Sequence, residues 1–290
     1  MPEIIKSLSQ ISDRYDALFC DLWGCVHNGI EAFPEAVAAL QLFRSKGGKV
    51  VLLTNAPRPR ASVATQISGM GVPDDAYDTI ATSGDSARLA MFNGAVGTRV
   101  YHIGLERDRT FFERLKLVED CPEIERVPLE DAEGIVCTGP FDALADPAVN
   151  RPDFLVAKQR GLKLLCANPD VVVDRGETRE WCAGALADLY TEMGGESLYF
   201  GKPYPPVYDL ARRRLAEVSA PIPDSRILAV GDGINTDIKG AVGEDIDSLF
   251  ITGGLAAEET GTETDPEQAL LDAYVANAGL EPTYAIGFLR

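Results

Sequence analysis

The chain has 290 residues and a formal net charge of −18, from 27 basic and 45 acidic side chains. So acidic a chain argues against nucleic acid and anionic membrane as partners, because both need clustered Lys and Arg to displace counterions. Apolar content of 46% and charged content of 25% fit an ordinary folded protein with material for one large or two modest domains, and no apolar run approaches the roughly 20 residues that span a bilayer.

In chain order, the N-terminal MPEIIKSLSQISDRYD lacks the basic and then apolar pattern of a secretory signal. DALFC (16–20) reads as a buried strand ending at a lone carboxylate, Asp21, with Gly24 three residues on. Residues 33–46 carry apolar positions at helical spacing, with Pro34 early and Gly47-Gly48 as the stop. KVVLLTN (49–55) is a second strand with a polar end, and 58–70 is a helix closed by Gly69 and Gly71. Strands alternating with single helices predict a parallel sheet covered by helices on both faces.

From about residue 83 the rhythm restarts. RVYHIG (99–104), GIVCTG (134–139) and LKLLCANPD (162–170) read as strands, with helices over 110–118, within 140–161 and over 181–194. SLYFGKP (197–203), a helix over 205–217, RILAVGDGINTD (226–237) and SLFITGG (248–254) then resume a sheet like the first, followed by an acidic loop at 256–269. This predicts an α/β protein whose Rossmann-like core, 1–82 and 186–290, carries an inserted α/β domain over 83–185. Six scattered cysteines without a CxxC pair, and two histidines, argue against structural zinc and point to reduced thiols in a cytoplasmic protein.

Four strand ends carry chemistry: Asp21, Thr54-Asn55, Lys202 and the pair Asp232/Asp237. In open α/β sheets, ligands bind outside the carboxyl ends of strands at a topological switch point, so neighbouring strands would bring these groups together. Asp21 can then attack phosphorus as a nucleophile. Asp232 and Asp237 lie in GDGINTD, a glycine-bearing turn whose carboxylates suit Mg²⁺. Lys202 offers a compact cation to a phosphoryl oxygen, and Thr54 a hydrogen bond to another. Each feature alone has a plainer reading, such as a helix cap, a turn or a solvated lysine. Their order, each at the end of a separate predicted strand, is what carries the argument. The glycines fall short of GxGxxG, which disfavours a dinucleotide site.

That order resembles the haloacid dehalogenase (HAD) superfamily of aspartyl-nucleophile hydrolases, and more narrowly its class IIA branch of NagD-like and 4-nitrophenyl phosphatase proteins. The pieces that carry the likeness are DLWGCVHNG (21–29), LLTNAPRP (52–59), CANPD (166–170), YFGKPYPPVYDLA (199–211) and AVGDGINTDIKGA (229–241). The resemblance implies a Rossmann-like core with a smaller cap inserted after the second motif, and a phosphatase acting on a small phosphorylated metabolite. It implies Asp21 as nucleophile, with Asp21, Asp232 and the backbone carbonyl of Trp23 binding Mg²⁺ and Asp237 supporting the metal. Thr54 and Lys202 would hold the phosphoryl group and Asn55 would line its pocket. It leaves open whether the chain forms a homodimer.

The family's first motif usually reads DxD, the second Asp protonating the leaving oxygen and later activating water. Here it reads DxW, and indole donates a hydrogen bond without shuttling protons. A positioned acid/base is worth about 10²–10⁴-fold. The choices are a slow phosphatase, a related displacement or long-lived phosphoenzyme, or a phosphate-binding module that keeps the metal. His27, in the same loop, is a candidate proton donor, its plainer reading being a solvent-exposed histidine. Asn168 and Asp170 either position backbone at the return to the core, the favoured reading, or face the pocket. Arg58 and Arg60 are cations that either face the site or sit in a solvated loop.

Overall fold

The computed structural model describes residues 1–114, 121–176 and 178–290. Seven strands form the larger sheet: β1 (Glu3–Ile4), β2 (Ala17–Cys20), β3 (Lys49–Thr54), β4 (Thr79–Thr82) and, after an excursion, β12 (Ile227–Gly231), β13 (Asp247–Ile251) and β14 (Tyr284–Ile286). Their spatial order is β1-β14-β13-β12-β2-β3-β4, all parallel. The chain runs from β2 outward through β3 and β4, then resumes beside β2 at β12 and runs outward the other way. The switch point therefore lies between β2 and β12.

Side-chain alternation explains why these apolar runs are strands buried on both faces. Leu18, Cys20, Val50, Leu52, Leu228 and Val230 face one core with Ala36, Ala39, Leu40 and Phe43 of helix α1 (Pro34–Ser45) and Val63 and Ile67 of α2 (Arg60–Gly69). The intervening residues Ala17, Phe19, Val51, Leu53, Ile227 and Ala229 face a second core, built with Val207, Tyr208, Ala211 and Leu215. Those four belong to a later helix, Pro205–Val218, and repeat at helical spacing.

The excursion begins with α3 (Ser83–Phe92), whose amide at Asp85 is capped by the Thr82 hydroxyl. Five parallel strands follow: β5 (Arg99–Ile103), β6 (Glu125–Arg126), β7 (Gly134–Cys137), β8 (Lys163–Cys166) and β11 (Glu196–Tyr199), ordered β11-β8-β7-β5-β6. Helices α4 (Arg151–Gln159) and α5 (Ala183–Glu192) bury Phe154, Leu186 and Tyr190 on one face of this sheet. α3 buries Ala87, Met91 and Phe92 on the other. Between β8 and α5 the chain makes an antiparallel hairpin of β9 (Val172–Arg175) and β10 (Thr178–Trp181).

The pairing moves one expected boundary. Residues 197–203 were expected to resume the first sheet and the insert to close at 185. Glu196–Tyr199 instead pairs with Lys163–Cys166, and α5 packs on that sheet, so the second sheet closes only at Tyr199. A helix was expected over 110–118. The described part is a 3₁₀ segment over Glu106–Phe112, and 115–120 lie outside the described residues. The last two helices are α7 (Lys239–Gly243) and α8 (Gln268–Ala278), with the Pro205–Val218 helix as α6. No described helix is long and apolar enough to cross a membrane, and all six cysteines are free thiols.

Candidate active site

Asp21 is the first residue beyond β2, and its N–H still donates to the Val230 carbonyl of β12 at 2.8 Å. That bond fixes the carboxylate at the switch point. Lys202 arrives from the loop after β11, and its Nζ lies 2.7 Å from Asp21 Oδ1 and 2.7 Å from Asp237 Oδ1. The lysine is 2% exposed, so its charge is balanced by carboxylates rather than by water. Burial alone would push its proton off, but Asp21, Asp237 and Asp170 hold it well above the ordinary lysine range.

Asn55 ties the loops after β3, β8 and β11 together. Its Oδ1 accepts the Lys202 N–H at 2.7 Å, and its Nδ2 donates to Asp170 Oδ1 at 2.8 Å and to the Lys202 carbonyl at 3.2 Å. Thr54, at the end of β3, is buried on the same wall, its hydroxyl accepting the Ala56 N–H at 3.2 Å. Asp170 turns toward the cleft with its amide on Asn168 Oδ1 at 3.0 Å. It thus lines the cleft as well as sitting where the chain leaves β8. Burial raises its proton affinity to about 6 against the opposing pull of Lys202 and Asn55.

Asp232 follows β12 and is held by the Leu255 N–H at 3.2 Å. A Cβ at Gly24 or Gly254 would fall 2.0 or 2.1 Å from its Oδ2, so both glycines are needed for backbone to pass this carboxylate. Asp21, Asp232 and the buried Cys25 place ligand atoms within 4.8 Å of one another. Burial first, then Asp21 and Asp237, pushes Asp232 well above the usual carboxylate range. Two buried carboxylates that repel each other form an oxygen donor set for a hard divalent cation, and the cation would remove the repulsion. The Trp23 carbonyl accepts no hydrogen bond from the described residues, which leaves it free as a third oxygen. The residues present therefore fit a hard divalent cation. Asp237 is engaged elsewhere: Oδ1 on Lys202 and Oδ2 on the Gly233 N–H at 3.1 Å. Burial places its proton affinity at about 6 against the pull of Lys202.

Trp23 reaches to the β9–β10 hairpin. Its indole N–H donates to the Asp174 carbonyl at 2.8 Å, and the Arg175 guanidinium carbon stands 5.1 Å over its ring. His27 lies beneath, edge-on to the indole with centroids 5.3 Å apart. The expectation that His27 is a solvent-exposed loop residue is corrected: it is 2% exposed. Its Nδ1 accepts the Gly29 N–H at 3.0 Å, and burial pushes its proton affinity down to about 4. Burial thus disfavours the charged, proton-donating form of the imidazole, whose ring packs under Trp23.

Core and hairpin flank a cleft with a cavity volume of about 130 Å³, open to solvent at its mouth. Asp21, Trp23, Thr54 and Asp170 line its floor and wall, and Arg58 faces into it. Arg60 turns away, 3.7 Å from Glu217 at the surface. Sequence reasoning missed the hairpin, Arg107 and Arg175 as site elements, and Cys25 beside the carboxylates. The hairpin had a visible signal in VVVDRGETREW, two short runs about a glycine.

A haloacid dehalogenase-like hydrolase family model matches residues 18–117, and a HAD-hydrolase-like model matches 199–278. A solved haloacid dehalogenase-like hydrolase from Brucella suis superposes with a TM-score of 0.86 at 39% identity, covering 99% of this chain and 100% of that one. A D-glycerol 3-phosphate phosphatase of Mycobacterium tuberculosis is 26% identical over 261 residues, 89% of this chain and 69% of that protein. A structure titled as glycerol phosphate phosphatase from that organism, in complex with magnesium, has a TM-score of 0.66 at 24% identity, covering 97% of this chain and 77% of that one.

Proposed function

The chain belongs to the haloacid dehalogenase-like hydrolases, its cap fitting the class IIA branch, and from that premise we propose that it is a Mg²⁺-dependent phosphatase acting on small phosphorylated metabolites through an aspartyl-phosphate on Asp21. The observation that carries the reading is the Asp21–Lys202–Asp237 chain of 2.7 Å contacts beside Asp232 at the switch point. Asp21 would attack phosphorus, forming its O–P bond as the ester P–O bond breaks. Lys202, held between carboxylates, would neutralise a phosphoryl oxygen, and Thr54 would donate to another. Asn55 would keep Lys202 and the Asp170 segment in register. Asp21, Asp232 and the Trp23 carbonyl would hold the metal, with Asp237 acting through Lys202. The metal when bound would lower the repulsion between carboxylate and phosphate. Water would then hydrolyse the aspartyl-phosphate, releasing inorganic phosphate.

Neither Trp23 nor His27 supplies the leaving oxygen with a ready proton, so esters whose leaving groups need none are favoured. The test is a screen of phosphomonoesters with Mg²⁺, with Asp21→Asn as control. Turnover of aryl and acyl phosphates, weak on alkyl phosphates and lost in Asp21→Asn, supports the reading. Turnover that survives Asp21→Asn overturns it. The indole at position 23 favours a second reading, a phosphate-binding module. Tight Mg²⁺-dependent binding of phosphorylated ligands without turnover in that screen would select it.

A further inference from the structure

Three arginines from three separate elements face the mouth of the cleft: Arg58 after β3, Arg107 after β5 and Arg175 at the end of β9. In a chain with net charge −18, such a gathering has no explanation in composition. Arg175 is seated on the Trp23 ring at 5.1 Å, a cation–π contact, with its Nε 3.0 Å from Glu180. Arg58 donates from Nη1 to Gln66 at 2.7 Å. Its Nε stands 3.7 Å from Asp108 Oδ1, and that buried oxygen has no hydrogen-bond partner among the described residues. Arg107 is exposed at the rim.

The acidic groups on the same wall are already engaged. Asp108 Oδ2 takes the Thr138 hydroxyl at 3.1 Å, Asp170 takes Asn55, and Glu180 takes Arg175. The arginines feel one another: Arg58 has its proton affinity lowered first by burial and then, against Asp108, by Arg107 and Arg175. Glu180 balances Arg175 and Asp108 stands beside Arg58, so Arg107 is the cation at the mouth with no ion pair among the described residues, and a bound anion would complete its charge balance while adding to the partners of the other two. Arginine forks also suit carboxylate and phosphate groups.

We propose that Arg58, Arg107 and Arg175 form a second anion subsite at the mouth of the cleft, so that the substrate is a small phosphorylated metabolite bearing a further anionic group, a carboxylate or a second phosphate, remote from the scissile ester. The reaction rests on the phosphatase reading above; the arginine geometry does not. Trp23 joins the two ends of this substrate: the side chain that removes the leaving-group acid also seats Arg175.

The test is steady-state kinetics with Mg²⁺ on glycerol 3-phosphate, neutral at its far end, on 3-phosphoglycerate, ending in a carboxylate, and on 2,3-bisphosphoglycerate, bearing both groups. The expected result is kcat/KM at least about tenfold higher for an anionic ester than for glycerol 3-phosphate, the scale of one charge-assisted hydrogen bond. The better of the two anionic esters identifies the second group. In Arg107→Gln, and separately in Arg175→Gln, that ratio falls toward one, mainly through KM. A wild-type ratio of one, or a ratio that survives both substitutions, overturns the subsite. Para-nitrophenyl phosphate distinguishes the two readings, because its hydrolysis without any anionic preference removes the subsite and leaves the phosphatase. If no ester turns over, the phosphatase reading fails, and calorimetry of 3-phosphoglycerate against glycerol 3-phosphate decides the subsite. Tighter binding of 3-phosphoglycerate supports it and equal affinity overturns it.

Discussion

At position 23, where the resemblance to the family leads one to expect a second Asp, stands an indole whose side-chain contacts lie in the hairpin and on His27. Trp23 is tied to the hairpin by its N–H on Asp174 and by Arg175 over its ring. Trp23→Asp restores a carboxylate two residues after Asp21 and is expected to raise kcat/KM on alkyl phosphates by up to about 10²-fold. The same change removes the cation–π seat and the 2.8 Å bond, so the protein should lose stability. Trp23→Phe separates the effects: it keeps a ring under Arg175, loses the N–H bond and brings no proton donor. It is expected to destabilise without gain on alkyl phosphates. Rates on alkyl and aryl esters for both variants, with urea unfolding alongside, check this. Equal gains in both variants would show that the effect is not proton donation. Asp21, Lys202 and Asp232 were legible because each is a polar group that ends an apolar strand. The role of Trp23 was not, because its partners lie about 150 residues away in sequence and no local pattern encodes such a contact. His27 was misread for a related reason. It lies in a loop, which suggested exposure, yet that loop folds inward and buries it under the indole.

Among the elements, the strands that build the site were the easiest to read. β2, β3 and β12 are continuous apolar runs because helices cover both faces of their sheet. β1 and β14, two and three residues long at one edge, carry too few positions for any periodicity. β11 was assigned to the wrong sheet because ESLY is an edge strand with no fully buried residue, and nothing in such a segment names its partner. The hairpin of β9 and β10 has only half-buried or exposed residues, so no apolar alternation marks it, although it closes the cleft. The start of the insert was marked more clearly, since Thr82 ends β4 and caps α3 through the Asp85 N–H at 2.9 Å. Thr82 is fully buried, so Thr82→Ala leaves that amide unpaired. The expected loss is about 1 kcal/mol, toward 2 for a buried cap, measured by urea unfolding. Thr82→Ser keeps the hydroxyl and should recover most of it. On the other side of α3, Met91 is buried against the second sheet, and Met91→Ala should cost about 2–5 kcal/mol.

For the molecule as a whole, burial has made its titrating groups pull in opposite directions. His102 in the second sheet, bonded to Thr138 at 2.9 Å and edge-on to Phe112, is pushed down by burial to about 4. Its unfolded value is near 6.5. The unfolded chain therefore binds the extra proton between those values. The contribution of His102 is complete above pH 6.5 and is lost as pH falls toward 4. Urea unfolding at pH 7 and pH 5 should show a smaller drop for His102→Gln than for wild type. The carboxylates at the switch point behave conversely. Asp21 and Asp232 are buried beside each other with raised proton affinities, so holding both ionised at neutral pH costs the metal-free protein stability, and a divalent cation offsets that cost. Mg²⁺ at about 100 times its dissociation constant should then stabilise the fold by about 2.7 kcal/mol, read as a rise in Tm. Asp232→Asn tests the source of that rise. It deletes one charge of the pair while keeping a polar side chain of similar shape, so the metal-free variant should melt at or above the wild-type temperature. Adding Mg²⁺ should then produce little further change. If the variant keeps the full Mg²⁺-dependent rise, the stabilising ion binds elsewhere on this acidic surface. If it melts well below wild type without metal, Asp232 contributes through its bond to Leu255 more than it costs as a buried charge.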